Sequence, residues 1–165
     1  LQTPEQAVEV TLNVSGRQGI YNALAAAAVA DALGISAITI REGLAAVKPA
    51  PGRGGVSVLS PDASLIDDTY NANPVAVRAA IDVLASESGR RRLVLGAMLE
   101  LGPDEEKLHA ELGAYAREAG LDELWAVGSE AAPAAVAFGE GALFFTDTSE
   151  PVSYTHLTLP TTPYV

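Results

Sequence analysis

The 165 residues hold 48% hydrophobic and 19% charged side chains, the balance of a soluble globular chain with apolar surface for one ordinary domain and a further piece. Ten Lys and Arg against 21 Asp and Glu, a formal net charge of -11, argue against nucleic acid as a partner, because that affinity comes from basic residues that displace counterions. The absence of cysteine excludes a disulfide framework and any thiolate metal site.

Nothing at the start reads as a signal peptide, and the longest apolar run, Ala23 to Ala30, is far short of the roughly 20 residues that span a bilayer. A cytoplasmic monomer with no membrane insertion is therefore expected. Val8, Val10, Leu12 and Val14 alternate with Glu9, Thr11 and Asn13, the period of a strand with one side buried. Ile20 to Leu33 is Ala-rich and apolar on nearly every face, which predicts a helix buried on most sides, closed by a left-handed cap at Gly34. Ser36 caps a second helix with Ile40, Leu44 and Val47 on one face, and Pro49 and Pro51 stop it. Lys48 to Gly55 carries two prolines and three glycines around Arg53 and predicts a domain boundary.

Beyond that boundary strands and helices alternate. Val56 to Leu59 and Ser64 to Ile66 predict a hairpin around Pro61-Asp62, and Asn73-Pro74 opens a helix with Val77, Ile81 and Leu84 on one face. Leu93 to Leu95 predicts a buried strand. Pro103, Asp104, Glu105 and Glu106 start a helix with a stripe of Leu108, Leu112, Tyr115 and Ala119, ended by Gly120. Leu124 to Val127 and Ala142 to Phe145 predict two more strands, with Ser129 capping a helix to about Phe138 between them. The pattern implies an α/β fold, a Rossmann-like, mostly parallel sheet with helices on both faces, preceded by a strand and helices of another domain. Pro151 to Val165 fits neither period and reads as a non-native tail.

Ligands of open parallel sheets bind outside the carboxyl ends of the strands. Asp67-Asp68-Thr69-Tyr70-Asn71-Ala72-Asn73-Pro74, Gly96 to Gly102, Gly128-Ser129 and Thr146-Asp147 all fall there. The first concentrates acids, amides and a tyrosine beyond what a connection requires, although turn-making by Asp68 and Asn71 and capping by Asn73 would also account for them. The Gly96 to Gly102 loop equally suits a tight turn with Met98 and Leu101 packed inward. No phosphate-cradling Gly-x-x-x-x-Gly-Lys-Ser/Thr and no Gly-x-Gly-x-x-Gly after a strand occurs. His109, read as a surface or boundary residue, has no second ligand at metal spacing, so no metal site is expected.

Four stretches taken together resemble, in order and spacing, the Mur ligases that add D-alanyl-D-alanine. They are Gly16 to Ala27, Pro51-Gly52-Arg53, Leu65 to Pro74, and Val94 to Gly102. The resemblance runs from about Val8 to Asp147, and Asp67 to Pro74 is its specific part. It implies residues 1–49 as the end of a central ATP-binding domain, 50–150 as a truncated Rossmann-like carboxy-terminal domain, and 151–165 as the tail. It also implies an enzyme that uses ATP and Mg2+ to activate UDP-N-acetylmuramoyl-tripeptide as an acyl phosphate, which the amine of D-alanyl-D-alanine attacks. By the same resemblance Asn22 would meet the adenine, Arg53 the phosphates and Asp68 the ribose hydroxyls, with Tyr70, Asn71 and Asn73 near nucleotide or dipeptide. Catalytic residues are expected upstream, so the chain alone is expected to be inactive. The sequence departs from the family pattern at Gln18-Gly19, where His-Asn is usual, and at Ala97, where Asp is usual. The alternative is a non-catalytic Rossmann-like nucleotide-binding or interaction domain; a dehydrogenase lacks its glycine fingerprint here.

Overall fold

A computed structural model of the chain describes residues 7–13 and 16–149. Val14 and the tail from Pro151 to Val165 lie outside the described residues, and so do the side chains of Arg17 and Gln18. Two compact units divide between Asn71 and Ala72.

In the first unit the alternation of residues 8–13 is real in burial but forms no strand. Val8, Val10 and Leu12 are half-buried and Glu9, Thr11 and Asn13 exposed, yet only Ala7 makes a bridge. Period-2 patterning sets which side faces inward; a ladder additionally needs a neighbour in register. Helix α1 (Gly16–Ala32) ends as predicted, with Gly34 at φ +76° and the Ile35 amide donating to the Ala30 carbonyl, which satisfies carbonyls that the helix end leaves over. The predicted burial of α1 on most sides does not hold. Ile20, Tyr21, Leu24 and Val29 are about half exposed or more, and Ala27 is the one α1 side chain in the core among the described residues. An apolar helix is buried only where another element lies on it, and here α2 (Ala37–Ala46) packs on part of its circumference through Ala37 and Ile40. Ser36 caps α2 by accepting from the Thr39 amide, and Asn13 donates to the Ala45 carbonyl at its other end, 2.6 Å away.

Strands β1 (Gly55–Ser60) and β2 (Ala63–Asp67) form the predicted antiparallel hairpin, with a register irregularity between Val58 and Ser60. Its open end pairs Gly55 with Asp67, so the glycine-rich linker and the acid-rich loop leave the hairpin side by side.

The second unit is a three-stranded parallel sheet in the order β3 (Arg92–Gly96), β4 (Glu123–Val127), β5 (Ala142–Phe145). Central β4 is buried along its whole length. Leu93, Leu95, Leu124, Ala126 and Ala142 share one face by register and by contact. The core on that face includes Val77 and Ile81 of α3 (Pro74–Ser86), Leu112 and Ala116 of α4 (Glu105–Glu118), and Ala134 and Phe138 of α5 (Ala132–Phe138). Trp125, Val127 and Phe145 are buried on the opposite face, where the Trp125 and Phe145 rings lie 5.4 Å apart. At the entry edge Arg92 stacks 3.9 Å over Trp125, and Arg90 and Arg92 both pair with the nearly buried Glu123. That arrangement compensates a carboxylate whose burial alone would be costly.

Two predicted details change. The buried face of α4 is His109, Leu112, Gly113 and Ala116, rotated from the expected stripe, with Tyr115 and Ala119 at the core's edge. Gly113 has no side chain to hold α5 away, so the closest approach of α4 falls there rather than along its larger apolar residues. Ser129 does not cap α5. It opens a 3-10 turn, Ser129–Ala131, and its hydroxyl bonds to the Glu130 carboxylate instead.

Candidate functional site

Three of the residues singled out in the sequence come together through backbone chemistry at the open end of the hairpin. Ala50 to Arg53 is a turn closed by the Arg53 amide on the Ala50 carbonyl, with Pro51 and then Gly52 at φ +72°, the residues a type II turn favours at its two central positions. Across from it, one Asp67 carboxylate oxygen accepts from the Gly52 amide at 3.2 Å. The other accepts from the Thr69 amide at 3.3 Å and the Thr69 hydroxyl at 2.7 Å. The Tyr70 amide donates to the Gly52 carbonyl, 3.0 Å, and the Gly54 amide to the Asp67 carbonyl, 2.8 Å. These bonds staple the linker turn to the loop after β2.

The staple places the Arg53 guanidinium 3.8 Å over the Tyr70 ring, a cation–π contact on a ring that is two-thirds exposed. Asp68, next to the fully engaged Asp67, is exposed and makes no hydrogen bond or ion pair with the described residues. The outcome is a surface cradle of one cation on one aromatic face, with the exposed carboxylate of Asp68 in the same loop. A guanidinium suits phosphate oxygens and a carboxylate suits a diol. Asn71 is exposed at the end of the same loop. Asn73 is spoken for: its Oδ1 accepts from the Ala76 amide at 2.9 Å and caps α3. Asn22 occupies an exposed position of α1.

The loop's two acids therefore divide their work, and the sequence alone did not separate them. The Thr69 hydroxyl, with help from the Thr69 and Gly52 amides, holds the Asp67 carboxyl below the usual range, against a smaller opposing effect of desolvation. A depressed folded-state pKa gives stabilisation that is complete above the ordinary value and is lost as pH falls through the lower folded one. The staple is accordingly expected to stay intact from neutral pH down past pH ~4 and to open only in stronger acid. Amide shifts of Gly52 and Thr69 followed in an acid titration check this; Asp67→Asn should show them displaced already at neutral pH.

A second ordered loop follows β3. Met98 is fully buried, Leu101 packs on the core, and Leu99 is exposed, as the tight-turn reading anticipated. His109 was missed. Expected at the surface or its boundary, it is 0% exposed, its Nε2 accepts from the Met98 amide at 3.0 Å, and its Nδ1 lies 2.9 Å from the Glu105 carbonyl. A single histidine inside a helical period gives no such signal, because the partner amide lies on another element. Beside this loop Gly128 turns at φ +92°. Glu130 is held below the usual carboxylate range chiefly by its own backbone amide and then by the Ser129 hydroxyl. A groove of about 530 Å³ lies between α4 and α5, lined by Glu105, Glu106, Ser129 and Glu130 over Ala110 and Val136. Among the described residues no three His, Cys, Asp or Glu side chains converge to hold a metal ion, and no helix is long and apolar enough to cross a membrane.

Comparison with known proteins places the chain in a family. The family model described as Mur ligase, glutamate ligase domain, matches residues 55–156, from the first strand of the hairpin to beyond Pro151. The chain is similar to the UDP-N-acetylmuramoyl-tripeptide--D-alanyl-D-alanine ligase of Escherichia coli, 42% identical over 144 residues that cover 87% of this chain and 32% of that protein. Its likeness to the enzyme of the same name from Haemophilus influenzae is 36% over 93% of this chain and 33% of the relative. Among solved structures it is similar to MurF from Acinetobacter baumannii, with a TM-score of 0.83 and 35% identity over 94% of this chain and 34% of that one. MurF ligase from Thermotoga maritima in complex with ADP matches with a TM-score of 0.74 and 27% identity over 90% and 33%. The chain thus spans about a third of the length of the relatives it matches.

Proposed function

Because the chain belongs to the Mur ligase family, we propose that it is the carboxy-terminal part of a cytoplasmic ATP-dependent ligase that joins D-alanyl-D-alanine to UDP-N-acetylmuramoyl-tripeptide. ATP would activate the tripeptide carboxylate as an acyl phosphate, the dipeptide amine would displace phosphate, and ADP and phosphate would leave. Residues 1–49 would close the central ATP-binding domain and residues from 50 onward would form the carboxy-terminal one. The names of the relatives favour this reading over a non-catalytic nucleotide-binding or interaction domain.

The stapled cradle at Gly52 to Tyr70 carries the proposal within this chain. Arg53 would meet nucleotide phosphates, Asp68 the ribose hydroxyls, and the exposed ring of Tyr70 with Asn71 would flank them, while Asn22 would contribute from α1. Since Asp67 is consumed by the staple, Asp68 is the acid of the pair left to bind a diol. Mg2+ would arrive with the phosphates, as no described cluster here suits a metal by itself, and no step is assigned through it. With no phosphate-cradling lysine loop in its 165 residues, this chain alone is expected to release no phosphate from ATP when both substrates are present.

Titration of the isotope-labelled chain with millimolar ADP tests the assignment. Amides of Gly52 to Gly54 and Asp67 to Asn71 are expected to shift, and Asp68→Ala should reduce the response at least about tenfold in ADP concentration, leaving the rest of the spectrum unchanged. Shifts confined to other elements, or an undiminished response in Asp68→Ala, would overturn it.

A further inference from the structure

The buried imidazole of His109 has no part in the cradle, yet it is fully buried in the second unit with a backbone partner at each ring nitrogen. A neutral imidazole offers one N–H and one lone pair. Nδ1 faces a carbonyl, which can only accept, so it must carry the proton; Nε2 faces an amide, which can only donate, so it must be bare. The two backbone partners thus specify one tautomer.

What that tautomer holds is the exit of β3. Glu100 has φ +63° and is the one non-glycine residue with positive φ among the described residues. Gly102 follows at φ +67°. A glutamate in that region is strained and persists only where its surroundings over-determine it. Here Met98, bonded to His109 and fully buried, and Leu101, packed on the core, clamp the turn from both sides and leave Leu99 and Glu100 exposed. The turn lies at the carboxyl end of a parallel strand, where sheets of this kind take their ligands. The Glu100 carboxylate has no hydrogen-bond partner among the described residues and is chemically suited to an ammonium group.

We infer that His109 is a positioning residue: its neutral Nδ1–H imidazole holds the Met98 amide and so presents Glu100 to the ammonium end of the amine substrate. This rests on the ligase reading, in which the substrate that supplies an amine is D-alanyl-D-alanine. In the complete ligase, His109→Leu and Glu100→Gln are each expected to raise the dipeptide KM about tenfold or more while the ATP KM stays within about twofold. His109→Gln keeps an acceptor for the Met98 amide and should return the dipeptide KM to within about threefold of the original. A purely structural role would lower the folded fraction without separating the two KM values. An unchanged dipeptide KM in His109→Leu or Glu100→Gln, or no rescue by a folded His109→Gln, overturns the inference.

A measurement on the 165-residue chain separates failure of the inference from failure of the ligase reading. Nitrogen-15-edited spectra should show a pyridine-type Nε2, a through-hydrogen-bond coupling between it and the Met98 amide, and the strong intraresidue amide-to-Hα NOE of a positive φ at Glu100. His109→Leu should lose that last signature. If the complete chain never uses the dipeptide, the ligase reading falls and the presentation of Glu100 to its amine falls with it. These spectra then decide the positioning role alone: a proton on Nε2, or a Glu100 signature unchanged in His109→Leu, overturns that too.

Discussion

Gly113→Ala is expected to destabilise the sheet-bearing unit by about 2 kcal/mol or more, although the same change in an open helix would stabilise it. A Cβ at residue 113 would stand 2.0 Å from the Ala134 carbonyl oxygen and within 2.8 Å of the Ala134 carbonyl carbon and Cα. All three are backbone atoms, so no rotamer change relieves the overlap; α4 and α5 must separate. That opens the contact around Leu112, Ala116, Ala134 and Phe138, the buried set on which the sheet rests. Overpacking of this kind typically costs about 1–3 kcal/mol, more against rigid backbone, and outweighs the roughly 1 kcal/mol that alanine gains in helix propensity. Gly43 in α2 is the control, since a Cβ there meets nothing within 4 Å and alanine should be neutral or stabilising. Urea unfolding followed through Trp125, the single tryptophan and part of β4, reads the effect. A midpoint that rises for Gly113→Ala would mean that the helices do not approach this closely.

Gly52→Ala should have the largest effect on ligand binding. The residue has φ +72°, where alanine costs on the order of 1–2 kcal/mol, and its Cβ would lie 2.8 Å from the Tyr70 amide nitrogen. That nitrogen donates to the Gly52 carbonyl, and the Gly52 amide donates to Asp67, so one methyl group strikes both strands of the staple. Arg53 and Tyr70 lose their stacking. Under the nucleotide reading, ADP is expected to bind at least about tenfold more weakly. Gly54→Ala separates strain from contact: its φ is +70°, but a Cβ there meets nothing within 4 Å, so backbone strain remains while the clash is absent. ADP titrations in which both variants behave alike would show that the close approach at Gly52 does not matter.

Much of the fold was legible because the chain's local signals agree with one another. The Pro61-Asp62 turn, the Asn73-Pro74 helix start, Gly34 and the apolar runs of β3, β4 and β5 each act over a few residues, and each appears in the structure where the sequence puts it. The Mur ligase likeness was also legible, through four short stretches whose order no single motif would have established. Of the site residues, the Asp67 to Pro74 loop stood out by composition and Asn73 as a helix cap, but the separate duties of Asp67 and Asp68 did not stand out. Both are aspartates with the same turn preferences, and only their partners distinguish them.

What the sequence determined by itself is the order and kind of the helices and strands from Gly16 onward, the caps at Gly34, Ser36 and Asn73, and the family. Tertiary structure alone decided which face of α4 is inward, because helical period permits several and the absence of a side chain at Gly113 selects one. It decided that α1 is apolar yet exposed over much of its surface, because burial belongs to a pair of elements and not to one. It decided that residues 8–13 alternate in burial without forming a strand. It also turned His109 from an expected surface or boundary residue into a buried acceptor, because a donor at Met98, eleven residues back and in another element, meets it only after the helix has docked.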